Sequence, residues 1–194
     1  MLEKKIIVAI KIFDEINSLD PNRIQFHGED FPKEILYSNW LTLWVEKLNP
    51  VKSDALRLAS RCQHLKRWEI SRDKYPEGLK GYMQWKKELL KFHADESEKV
   101  LRNLHIDESI IQQVRKINLK QDIRNNPEVQ IMEDALCLVT LEFQLEEFSL
   151  KHTDEKMIEI IRKSWNKMSN SARDKAKKIT YSPRVLKLVL EAIK

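Results

Sequence analysis

Asn126-Pro127-Glu128-Val129-Gln130-Ile131-Met132-Glu133-Asp134-Ala135-Leu136-Cys137-Leu138-Val139-Thr140-Leu141-Glu142-Phe143 is the stretch whose reading decides the fold. Asparagine then proline is a cap followed by a first-turn residue, and that pair starts a helix. No strand-like alternation comes after it, so the run predicts a helix from Glu128 to about Phe148. A helix apolar on nearly every side is buried on every side. Other elements must therefore surround this one. Yet Glu133 and Asp134 lie inside it, and a buried carboxylate is costly unless it is paired, protonated or metal-bound. The structural alternative is simple: both acids lie within two turns of the helix start, where they suit the dipole.

The segments around it also repeat at helical spacing. Ile6, Ile10, Phe13 and Ile16 stripe a first helix. Asp20 to Phe31, with Pro21, Asn22, His27 and Gly28, reads as a loop. Pro32 suits the first turn of a helix that carries Ile35, Leu41, Trp44 and Leu48 and stops at Asn49-Pro50. Ser53 caps a helix running to about Trp68. Ser71 to Gly81 reads as a loop, followed by a long helix from Tyr82 to about Leu104. Asp107, Thr153 and Ser182 cap three more, and Lys167-Met168-Ser169 reads as one helix end followed by the next cap. The expectation is an all-α, compact bundle of eight or nine helices forming one domain over residues 1–194. Its core is 32–149, with an N-terminal helix at 2–18 and C-terminal helices at 153–194 packed on it.

Composition removes several function classes. Three glycines in the chain leave no room for a phosphate-cradling P-loop or a dinucleotide fingerprint, so no nucleotide-cofactor motif is present. Cys62 and Cys137 are far apart and form no CxxC pair. No uncharged stretch is long enough for a membrane span, and a cytoplasmic location is the default expectation. The net charge of +5 suits an anionic partner, yet lysine and arginine are interleaved with acids rather than gathered in a stripe.

Candidate chemistry sits on four segments. His93 lies on the inner stripe of the long helix, between Leu89 and Ser97. His64 follows Ala55-Leu56-Arg57-Leu58-Ala59-Ser60-Arg61-Cys62-Gln63 and shares a polar face with Arg57, Ser60, Arg61 and Arg67. Glu34 is on the face of Ser38 and Leu41. In order and spacing, His64, His93-Ala94 and the Glu133-Asp134 helix resemble the HD superfamily of metal-dependent phosphohydrolases. That resemblance implies an HD-domain-like fold and an all-helical site for a divalent metal such as manganese, iron or zinc. Glu34, His64, His93 and Asp134 would be its ligands, a mixed nitrogen and oxygen set. Two departures stand: His64 is followed by Leu65 instead of aspartate, and Glu34 occupies the place of an early histidine.

A second resemblance covers most of the chain. Glu34-Ile35-Leu36-Tyr37, Gln63-His64-Leu65-Lys66-Arg67-Trp68-Glu69-Ile70, Gly81-Tyr82, Phe92-His93-Ala94 and Glu133-Asp134-Ala135-Leu136-Cys137-Leu138-Val139 are similar to a family known as the domain of unknown function 4202. It brings no established activity. The function expected from the first resemblance is hydrolysis of a phosphorylated small molecule or nucleotide. Glu69 and Glu133 would be its catalytic acids, and Arg67, Arg72 and Lys120 would hold the anionic substrate. The alternative expectation is a non-enzymatic module that binds RNA or a protein through its basic surface, with a degenerate metal site.

Overall fold

The structure is a computed structural model, and it describes residues 2–49 and 53–194. Ten α-helices carry the architecture among these residues: α1 Leu2–Asn17, α2 Lys33–Leu48, α3 Asp54–Cys62, α4 Gly78–Asn103, α5 Glu108–Asn118, α6 Pro127–Val139, α7 Leu145–Lys151, α8 Asp154–Lys167, α9 Asn170–Ala176 and α10 Pro183–Ala192. The all-α expectation holds. The tenth helix arises because the predicted helix from Glu128 to Phe148 is divided by a π-helical segment, Thr140–Gln144.

The caps follow the side chains that the sequence offers. Asn126 Oδ1 accepts from the Glu128 and Val129 amides. Ser53, Thr153, Ser169 and Ser182 each accept from the amide three residues on. These bonds satisfy first-turn donors that the helix itself leaves orphaned. Helix α6 is central as predicted. It buries Val129, Met132, Ala135, Leu138 and Val139, and packs on α2, α5, α8 and α9. One contiguous apolar cluster runs from Ile6, Ala9 and Phe13 of α1 through α6 to Val185, Leu188 and Val189 of α10.

Three expected boundaries move. The segment expected as a loop, Asp20 to Phe31, contains a hairpin: β1 Arg23–Phe26 pairs antiparallel with β2 Glu29–Pro32. His27 and Gly28 both have positive φ (51° and 82°), the backbone that a two-residue hairpin turn demands. Helix α3 ends at Cys62, not near Trp68: turns follow at 63–66, and Lys66, whose φ is 56°, leads into a 3-10 turn at Arg67–Glu69. His64 therefore sits on a turn just beyond a helix. Finally, α4 begins at Gly78, a turn before the expected Tyr82. Gly81 then lies within the first turn of α4, against the Pro76 carbonyl; a Cβ there would fall 1.8 Å from that oxygen. The expected stop of α2 at Asn49-Pro50 is met at Asn49, its C-cap, while Pro50 lies outside the described residues.

Candidate functional site

A cleft opens where α2, the turn after α3, α4, α6 and the π-helical segment meet. Its inner lobe encloses about 330 Å³ and includes Gln63, His64, Arg67, Lys86, His93, Lys120, Glu133 and Lys167 in its lining. An outer lobe of about 920 Å³ extends under the hairpin, between Lys33, Glu34, Phe143 and Lys151. Tyr37, His64, Arg67, Gln144 and Phe148 line both lobes and join them.

One wall is built of acceptors. His93 is buried on α4, and its Nδ1 lies 2.8 Å from the Leu65 carbonyl. A carbonyl can only accept, so Nδ1 carries the proton and Nε2 presents a lone pair. That Nε2 has no partner among the described residues, and neither do Glu34 Oε2 and Gln63 Oε1; all three residues are buried. Buried polar atoms are nearly always bonded, so His93 Nε2 and Gln63 Oε1 are acceptors without a donor, while Glu34 Oε2 has the His64 imidazole as its neighbour. His64 stacks on Tyr37 at 4.5 Å between ring centres. Its Nδ1 stands 3.4 Å from Glu34 Oε2, and its ring is 5.7 Å from that of His93.

Burial sets the protonation of this wall. It pushes the His93 imidazole down to about 3, helped by His64 and Arg67. It holds His64 well below the usual histidine value, and Arg67, Lys120 and Lys33 act the same way. Burial raises the Glu34 carboxyl against the opposing pull of Arg67, Lys33 and His93. Both imidazoles are thus neutral near pH 7, each with one ring nitrogen free to accept a hydrogen bond.

The inner lobe also carries cations. Glu133, nearly buried, is ion-paired with Lys120 and, at 3.2 Å, with Lys167. Burial alone would raise the Glu133 carboxyl, but the two ammonium groups outweigh it and hold it below the usual range. Lys86 is pushed down by burial and by the nearby Lys167 and Lys120. Arg67 lies 5.1 Å over the Trp85 ring and 3.9 Å from Glu34 Oε1. Four cations thus face the inner lobe, with Glu133 the carboxylate among them. Each ammonium has three donors, so Lys120 and Lys167 keep donors beyond those given to Glu133.

The expected site residues divide accordingly. Glu34, His64, His93, Arg67, Lys120 and Glu133 come together along the cleft. Asp134 does not join them. Its Oδ1 accepts from the Ser169 amide at 2.8 Å and from Gln130 Nε2 at 2.9 Å, and its Oδ2 from the Ser169 hydroxyl at 2.6 Å. Its carboxylate is therefore a tether for the start of α9. Glu69 is exposed and faces Lys66. Arg72 spends its guanidinium on the Tyr75 and Pro76 carbonyls and so braces the loop before α4. Among the described residues, no group of three or more His, Cys, Asp or Glu is arranged to hold a metal ion.

Sequence reasoning missed Tyr37, Gln63, Lys86, Gln144 and Lys167. Lys86 carried a usable signal: it shares the helical stripe of Tyr82, Leu89 and His93, where a lysine interrupts an inward face. Gln144 carried none, because its direction depends on the π-helical segment, whose wider turn shifts the helical register.

The model of one protein family, the domain of unknown function DUF4202, matches residues 8–189. The chain belongs to the DUF4202 family. No curated protein and no solved structure matches it. The matched span contains every residue of the DUF4202 cleft, from Asn22 to Lys167. Among the described residues, no helix is long and apolar enough to cross a membrane.

Proposed function

We propose that this DUF4202 protein is a hydrolase of a phosphorylated small molecule, with the phosphate bound in the inner lobe. One observation carries the reading. Two buried acceptors without hydrogen-bond donors, His93 Nε2 and Gln63 Oε1, belong to residues that line the same inner lobe as four cations, Arg67, Lys86, Lys120 and Lys167. The cations suit phosphoryl oxygens, for which charge-assisted contacts are the strong ones. The acceptors suit a water molecule, which brings two donors.

In this reading Arg67, Lys86, Lys120 and Lys167 hold the phosphoryl group and balance the charge that develops on it. Glu34 and His64 act as one acid–base unit. The neutral imidazole takes a proton from the attacking water as the water oxygen bonds to phosphorus; the ester P–O bond breaks, the alcohol leaves with a proton from solvent, and the carboxylate 3.4 Å away stabilises the imidazolium that forms. His93, its tautomer fixed by the Leu65 carbonyl, orients the water through Nε2. Such a fixed tautomer with a free Nε2 also suits a metal ligand. The set Glu34, His64 and His93 nevertheless falls short of a closed metal group, since Asp134 is engaged by Ser169.

The test is a panel of phosphomonoesters and nucleotides, assayed with chelator and with added manganese, iron or zinc, beside elemental analysis of tag-free protein. Turnover abolished by His64→Asn and by Glu34→Gln, with folding intact, is the expected result. Absence of turnover under every condition, together with no binding of inorganic pyrophosphate, would overturn the proposal.

A further inference from the structure

The two lobes of the cleft differ in chemistry. In the inner lobe four cations meet a single carboxylate, Glu133. In the outer lobe the charges answer one another. Arg23 holds Asp30 at 2.7 Å, Lys151 is paired with Glu147, Arg67 lies 3.9 Å from Glu34, and Lys33 stands beside Glu34 in the chain. A lobe whose cations are engaged in this way has little to offer a second phosphate.

What the outer lobe does offer is aromatic surface. Trp40 and Phe143 stack with ring centres 4.5 Å apart and planes at 2°, and Phe26 of the hairpin meets both edge-on, at 5.2 and 6.2 Å. These three rings are packed on one another and form a wall, with Phe26 and Phe143 only half-buried. Phe148 stands apart from them. It is half-buried and lines both lobes, and its ring neighbour among the described residues is His152, edge-on at 6.3 Å. No ring of the described residues stacks on it. Gln144, one turn before Phe148, also lines both lobes, and its side-chain amide has no hydrogen-bond partner among the described residues. Gln144 closes the π-helical segment, an irregularity of a kind that recurs at functional sites. An unstacked aromatic ring and, one turn away, an amide with donor and acceptor both unspent match a flat heterocycle, which stacks through its face and bonds through its edge.

We propose that the outer lobe takes a planar heteroaromatic ring carried by the phosphorylated substrate, stacked against Phe148 and bonded at its edge by Gln144. The substrate class of the cleft is then a phosphate ester whose organic part is heteroaromatic. This rests on the reading above for the phosphate in the inner lobe. The lobes join at Tyr37, His64, Arg67, Gln144 and Phe148, so one molecule can occupy both. The outer lobe, at about 920 Å³, lies at the upper end of the roughly 300–1,000 Å³ of small-molecule sites.

The test is equilibrium binding to the full chain by isothermal titration, with phosphate release measured separately on the same esters. Adenosine monophosphate carries its ring on a sugar, pyridoxine 5′-phosphate carries one without a sugar, and glycerol 3-phosphate has no ring. The expected result is that at least one aromatic ester binds about tenfold more tightly than glycerol 3-phosphate, and which one does so tells the two sources apart. Phe148→Leu should bring that ratio close to one, and Gln144→Ala should lower it by about fivefold. Glycerol 3-phosphate bound as tightly as both aromatic esters overturns the proposal, and so does a preference that survives both variants. Where Phe148→Leu does not fold, as read by circular dichroism, Gln144→Ala decides. A binding preference without phosphate release overturns the hydrolysis and supports the ring site; equal binding and turnover of all three esters does the reverse. No binding of any ester overturns both.

Discussion

Replacing Asp134 with asparagine tests whether this carboxylate is a tether or a ligand. In the fold it is 2% exposed and accepts from the Ser169 amide, the Ser169 hydroxyl and Gln130. A hydrogen bond to a charged group is worth about 1.5–3 kcal/mol. The substituted amide would keep one acceptor oxygen and turn an NH₂ donor toward Ser169, which also donates through its own backbone N–H. Losing the better part of two charge-assisted bonds gives about 3 kcal/mol of destabilisation. For a chain of this size that lowers Tm by roughly 6–12 °C. Calorimetry and urea denaturation read the loss directly. Ser169→Ala removes the hydroxyl partner and the cap on Ala172, and should cost about 2 kcal/mol. In the double variant the two losses should fall short of additive by about 1 kcal/mol or more, as expected for residues in contact. Pyrophosphate affinity should weaken far less than in Lys167→Ala. The reasoning is refuted if Asp134→Asn keeps its Tm within about 1 °C of the parent, or if a stoichiometric bound metal disappears from an otherwise stable fold.

Further outcomes derive from the same contacts. His93, held at about 3, and His64, also held low, bind fewer protons folded than unfolded. Their contribution is full above about 6.5 and declines as pH falls toward the folded values. Glu34, raised by burial, has the opposite sign: its contribution is full below its ordinary value of 4.5 and is lost as pH rises through the folded one. With two groups against one in the window from pH 7 to 5, the urea midpoint should drop on acidification, and His93→Gln should flatten that slope. Glu133→Gln removes the charge that holds Lys120 and Lys167 in place, so isothermal titration should show weaker pyrophosphate binding; tighter binding would show instead that Glu133 only competes with the anion. Gly81→Ala places a methyl group on the Pro76 carbonyl and should destabilise by about 1–3 kcal/mol in urea titrations, since the obstacle is backbone and cannot swing aside.

The central helix was legible because its signal is redundant: Asn126-Pro127 marks the start, and the apolar run marks the burial. The caps at Ser53, Thr153, Ser169 and Ser182 were legible because their side chains do the capping in the fold, whereas Asp107, at the expected place before α5, makes no side-chain cap bond. The hairpin was hidden because four-residue strands give too short an alternation, and its deciding feature is a positive φ at His27, which the residue type only permits. In the cleft, charged residues at inward helical positions were visible, and His93 and Glu133 are both there. The place of His64 was visible as a residue but not as a geometry. It depends on the turns at 63–66, which end at Lys66, and a lysine carries no sequence mark of a left-handed backbone. Lys167 joins the cleft through the packing of α8, a tertiary fact that no local pattern holds.

Glu133 and Asp134 show why a doublet of acids on a buried helix need not be one site. Successive residues on a helix point about 100° apart. Glu133 therefore turns toward Lys120 and Lys167, while Asp134 turns toward the start of α9. Yet the two contacts meet again in the chain. Lys167 is the last residue of α8, and Ser169 caps α9 two residues later. Gln130, one turn before Asp134 on the same helix, also donates to the Lys167 carbonyl at 3.0 Å. The corner between α8 and α9 is thus pinned to one face of α6 at three places, and the Lys167 ammonium is delivered to the cleft by that pinning. A lysine side chain has many rotamers to lose on ordering. Fixing its backbone at the corner and its ammonium at Glu133 removes most of that freedom before any ligand arrives. The cationic corner of the cleft is therefore preorganised by the same two carboxylates that the sequence singled out, one through its charge and the other through the fold.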